Sequence, residues 1–170
     1  AMKHFKGSFF EDCKQKISKL TNAPIPQTFE ADYRKKSFEA FKTGIQPIDG
    51  VKNVLDNLAI PFCVASSGPE NTIKLNLELT GLLAYFDNKI FSCYTIKKYK
   101  PDPAIFILAA KTMGFKREEC LVIEDSLSGV FAAKNGGFDV FGFTAHDYNN
   151  ELVTEATKTF DNMSKLLKMI

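Results

Sequence analysis

Glu124 and Asp125 stand side by side in CLVIEDSLSGVFAA, residues 120–133, where an apolar run gives way to a helix-like stretch. Adjacent like charges repel, and at the mouth of an apolar core water screens them poorly. Taken alone, the pair could simply start a helix, with Ser126 as its N-cap. Two further polar clusters argue against so plain a reading: Ser66-Ser67 after FCVA, and Lys100 at the head of KPDPAIF. A hydroxyl with backbone amides, a fixed ammonium and a carboxylate pair together suit phosphoryl transfer. The transferring group carries negative charge that hydrogen bonds, a cation and usually Mg²⁺ must hold. Mg²⁺ prefers carboxylate and water oxygens, so Glu124 and Asp125 offer it a foothold, and a divalent cation would turn their repulsion into shared attraction.

That chemistry needs elements that bring the three clusters to one place. Strands are expected at about 61–66, 89–93, 120–124 and 139–143, separated by helices. KPDPAIFILAAKTMG carries helix punctuation, with Asp102 as N-cap, Pro103 at the first position and Gly114 at the stop. The segment after Pro69 is ambiguous: Ile73, Leu75, Leu77 and Leu79 alternate like a strand, yet Pro69 and Gly81 bracket it like a helix, and we read a helix. Alternating strands and helices imply a parallel sheet covered on both faces, with ligands beyond the carboxyl ends of its strands. All three clusters fall at such ends. Ahead of this region, Phe10, Cys13, Ile17 and Leu20 mark one amphipathic helix, and Phe29, Tyr33, Ala40 and Phe41 a second. The division expected is a helical part at 1–43 and an α/β core at 44–170, closed by a helix over 162–170.

Composition narrows the function classes. At 45% hydrophobic and 25% charged, with net charge +2, the chain gives no electrostatic case for nucleic acid or membrane. The basic run Ile96-Lys97-Lys98-Tyr99-Lys100 is too short to change that. Four widely spaced cysteines without a CxxC, three of them in apolar or strand-like surroundings, read as free thiols in a reducing cytoplasm. Two histidines leave little material for a histidine zinc site or a Ser/His/Asp triad.

The ordered set of motifs resembles the haloacid dehalogenase (HAD) superfamily of phosphatases, the group that includes β-phosphoglucomutase and 6-phosphogluconate phosphatase. FCVASSG resembles the superfamily's second motif, KPDPAIF the third, and CLVIEDSLSGVFAAKNGG, with its Gly129, the fourth. PIDGVKNVLDNL is similar to the return from a helical cap into the core, and FKGSFFED to the hinge of that cap. The resemblance implies a Rossmann-like parallel core of the HAD type with a partial helical cap. It implies that Ser66 and the Ser67 amide hold phosphoryl oxygens, that Lys100 offsets charge on nucleophile and phosphate, and that Asp125, assisted by Glu124, holds Mg²⁺. Lys6 and Ser8 would face the substrate from the cap hinge. The partner expected is a small phosphorylated metabolite, most simply a sugar phosphate.

One departure matters. The superfamily's first motif, a strand followed by Asp-x-Asp-Gly-Thr, supplies nucleophile and acid/base, and no two of the ten aspartates here are two positions apart. The expectation is therefore a sheet lacking its central first strand, a chain that does not turn over unaided, and exposed sheet edges open to self-association or strand exchange. An N-terminally incomplete phosphatase is the preferred reading. A phosphomutase and a non-catalytic phosphate- or partner-binding remnant are the alternatives.

Overall fold

The computed structural model describes residues 10–170. Among the described residues two helices come first, α1 (Phe10–Thr21) and α2 (Phe29–Gly44), and neither buries a residue fully. They meet through rings, with Phe10 5.3 Å from Tyr33 and 6.2 Å from Phe29. Glu11 and Asp12 in the first turn of α1 and Lys19 in its last turn oppose the helix dipole favourably. Gly50, at φ +82°, then turns the chain into α3 (Val51–Asn57).

Strands and helices alternate from there: β1 (Val64–Ser66), α4 (Glu70–Leu79), α5 (Leu83–Phe86), β2 (Ile90–Ser92), α6 (Cys93–Ile96), α7 (Ala104–Met113), β3 (Leu121–Glu124), α8 (Leu127–Asn135), β4 (Asp139–Phe143), α9 (Glu151–Glu155) and β5 (Lys158–Phe160). All pairing among the described residues is parallel. The segment after Pro69 is a helix despite its alternating leucines, and Pro69 is its N-cap rather than its first turn. At α7 the cap position is likewise one residue later than expected. Pro103 occupies it, while the Asp102 carboxylate accepts the Ala104 amide at 2.9 Å. The terminal helix is a 3₁₀ turn, Met163–Lys168, and β5 is an additional strand.

Among the described residues the strands form two sheets, β1-β2 and β3-β4-β5, so the single sheet expected is divided between β1 and β3. Side chains bridge the division. Ala65 and Phe91 pack onto a cluster that holds Ile105, Val122, Val130 and Val140. Phe141 and Phe143, on the other face of β4, join Val54, Phe160 and Leu166 in a second cluster. Because neighbours on a strand point to opposite faces, covering both sides of β4 demands the unbroken apolar run Val140 to Phe143. No helix among the described residues is long and apolar enough to cross a membrane.

Candidate active site

The carboxyl ends of β1 and β2 finish on serines that lie in register, Ser66 opposite Ser92. The Ser66 hydroxyl accepts the Gly68 amide at 3.1 Å, which folds the chain back over the strand end. The buried Ser92 hydroxyl donates to the Gly68 carbonyl at 2.6 Å and accepts the Tyr94 amide, so it pins that loop and caps α6 at once. A serine can do both because its hydroxyl carries one donor and two acceptor positions. Ser67, next to Ser66, is exposed.

Lys100 reaches this edge from the segment between α6 and α7. Its ammonium donates to the Ala65 carbonyl at 3.2 Å and to the Glu124 carboxylate, and it lies 4.7 Å from the centre of the Phe106 ring. Both side chains of the Lys100–Glu124 pair are nearly sealed from solvent, at 7% and 8% exposure. The lysine therefore joins the end of β1 to the end of β3 where no ladder does. Ser126 completes the arrangement. As N-cap of α8 it accepts the Gly129 amide at 3.2 Å and donates its own proton to Glu124 at 2.9 Å. A Cβ on Gly129 would collide with the Glu124 carboxylate, so only glycine leaves room there.

The two adjacent carboxylates thus have different surroundings. Glu124 is turned inward onto Lys100, whereas Asp125 is exposed at the strand end. In this arrangement Lys100 relieves the repulsion between them. The Cys93 thiol, fully buried at the end of β2, sits beside the same group. Burial pushes it up, while the Lys100 ammonium and a hydrogen bond with Ser67 pull partly back. A protonated, inert thiol results, which suits a wall of the site and not a nucleophile.

The structure thus gathers Ser66, Ser67, Lys100, Glu124 and Asp125 along one edge, the carboxyl ends of the strands. Lys6 and Ser8 lie outside the described residues. Among the described residues no group of three or more His, Cys, Asp or Glu side chains gathers as a metal cluster. Sequence reasoning treated Ser126 only as a cap and did not single out Ser92 or Tyr94. Ser92 had a readable signal, since KIFSC ends a strand on serine just as FCVASS does.

Residues 2–137 match the family model of the haloacid dehalogenase-like hydrolases. The chain is 32% identical over 166 residues to 6-phosphogluconate phosphatase of Escherichia coli, covering 96% of this chain and 75% of that protein. It is 28% identical over 127 residues to the phosphorylated carbohydrates phosphatase of Thermotoga maritima, covering 73% and 58%. A haloacid dehalogenase-like protein of Agrobacterium tumefaciens superimposes with a TM-score of 0.87 at 24% identity, covering 99% of this chain and 79% of that one. A HAD family hydrolase of Deinococcus radiodurans, solved with bound phosphate and sodium, gives 0.75 at 24% identity, covering 96% and 75%. In sequence and in fold, the chain belongs to the haloacid dehalogenase-like hydrolases.

Proposed function

We propose that the protein is a Mg²⁺-dependent phosphatase of small phosphorylated metabolites, sugar phosphates first, working through an aspartyl phosphate. The observation that carries this reading is Lys100, a buried ammonium held between the Ala65 carbonyl and Glu124 at the strand ends. A cation so fixed supplies charge where an oxyanion would sit without having to reorganise. Ser66 and the Ser67 amide would hold phosphoryl oxygens, with the Gly68 loop keeping them at the edge. Asp125, exposed at the strand end, offers a hard carboxylate oxygen of the kind Mg²⁺ selects, and Glu124, held by Lys100 and Ser126, would assist from behind it. Once bound, the ion would neutralise charge on the phosphoryl group. Lys6 and Ser8 would contact the substrate from a cap spanning 1–43, set over a core spanning 44–170. The E. coli and Thermotoga relatives, named for phosphorylated sugars, and the phosphate in the Deinococcus hydrolase support the substrate class.

The attacking aspartate of that chemistry belongs to an Asp-x-Asp pair, which these residues do not contain. On this reading they hold substrate and metal but do not turn over alone, and the β1 and β3 edges would take up a strand or a second copy. Phosphate release from a sugar phosphate panel with Mg²⁺ tests the proposal. A form extended by a strand ending in Asp-x-Asp-Gly-Thr should be active and the 170-residue chain silent. Asp125→Asn in the active form should lower turnover about a hundredfold or more. Asp139→Asn, at the start of β4, should leave turnover intact. Equal losses would place the site elsewhere, and robust metal-dependent turnover by the chain alone would overturn the mechanism. An isomerised sugar phosphate in place of free phosphate would make the protein a mutase.

A further inference from the structure

Arg34 lies on α2, outside the site, yet its guanidinium reaches across to the core. It donates to Glu30 at 2.6 and 2.9 Å and to the Tyr94 hydroxyl at 2.6 Å, sixty residues away. It also lies 5.3 Å from the ring centres of both Phe10 and Tyr94. The Glu30 pair is an ordinary contact one helical turn away, of small value by itself. The Tyr94 contact is different, because Tyr94 is built into the site. Its amide is held by the Ser92 hydroxyl, Ser92 in turn holds the Gly68 carbonyl, and the Gly68 amide binds Ser66. Its ring stands edge-on to Tyr99, 5.3 Å away at 88°, and Tyr99 immediately precedes Lys100. One limb from Tyr94 therefore ends at Ser66 and the other at Lys100. α2 also packs on α4, the helix that opens after the Ser66 loop.

Burial opposes the charge on Arg34, and its bonds to Glu30 and Tyr94 outweigh that, so it stays a firmly held cation. A lysine could keep the charge but could not serve the Glu30 carboxylate and the Tyr94 hydroxyl with one rigid fork. The geometry points to Arg34 as a positioning residue that, through the Tyr94 hydroxyl, ties the seating of the α1–α2 helices to the placement of Ser66 and Lys100. Closure of the helices over a substrate would then reach both phosphate-holding groups together. The catalytic half of this inference rests on the phosphatase reading, while the coupling itself does not.

A double-mutant cycle decides it, with Arg34→Lys, Tyr94→Phe and the double variant compared in the active, Asp-x-Asp-extended protein. Each single change should lower kcat for p-nitrophenyl phosphate about tenfold with KM held within about a factor of two. The double variant should lose no more than the worse single, because both changes cut one connection. Hydrogen exchange on the same proteins reads the coupling without turnover. Amides of residues 93–100 and of Gly68 should exchange several-fold faster in Arg34→Lys, although Arg34 lies on another element. Loosening confined to residues 29–44, or losses in kcat that multiply, would reduce Arg34 to a surface contact and overturn the proposal. A parent protein that hydrolyses no phosphomonoester would remove the phosphatase reading, and exchange at residues 93–100 would still decide the coupling.

Discussion

The Lys100–Glu124 pair shows what a buried ion pair is for. Removing two charges from water costs several kcal/mol per ion, and their attraction offsets this only in good geometry with further hydrogen bonds. Here Ala65, Ser126 and the Phe106 ring supply those extra contacts. Removing one partner strands the other, so Lys100→Met or Glu124→Gln should each cost about 3–5 kcal/mol in urea unfolding. Lys100→Met/Glu124→Gln should cost clearly less than the sum; additive losses would mean that the two side chains do not meet. The residue types and their order were legible in the sequence, since KPDP and IEDS sit after strands. The division of labour between Glu124 and Asp125 was not. Adjacent residues at a strand end face opposite ways, and which of them turns inward depends on where Lys100 arrives from a distant segment.

At the scale of elements, α8 is set by what it must pack against. Ser126 caps it, and Gly129 in its first turn lies against the Glu124 carboxylate. Helix propensity alone favours alanine over glycine by about 1 kcal/mol. The collision reverses the sign, because Glu124 is held by Lys100 and Ser126 and cannot swing aside cheaply. Gly129→Ala should therefore destabilise the protein by about 1–3 kcal/mol. The same change in Glu124→Ala should be neutral or stabilising, as judged by thermal melts of the four proteins. Long elements with clear punctuation were readable in advance, α7 and α8 among them. β5 was not, because three residues with Lys158 exposed and Phe160 buried are too few to show a period. The helix reading at α4 depended on Pro69 and Gly81, since the leucine spacing alone pointed to a strand.

At the scale of the molecule, the four free cysteines share one property. The thiols of Cys13, Cys63, Cys93 and Cys120 are all raised above their ordinary value, with burial the first cause in each. The folded chain holds these protons to higher pH than the unfolded chain does. The stability that goes with them is whole below the unfolded thiol's pKa and is lost as pH rises through the raised folded values. The urea midpoint should fall between about pH 8 and pH 10, and Cys93→Ala should flatten part of that fall. An identical slope in the variant would mean that Cys93 ionises as easily folded as unfolded. Among the described residues full burial is absent from α1 and α2 and begins at Val54. The division into two sheets lies beyond pattern reading, because strand periodicity reports burial and not which edges meet.

That division has a kinetic side. In β3-β4-β5 every strand pairs with the next one along the chain, with a single helix looping between each pair. Loops of this kind close at modest entropic cost, so this half can assemble from sequence neighbours alone. β1 and β2 can do the same across α4 and α5. What they cannot settle locally is their alignment with the other half, which depends on Lys100 finding Glu124 and on apolar side chains meshing across the gap. The seam along which the two halves meet is thus held by side chains and not by a ladder, and it is the edge that holds the site.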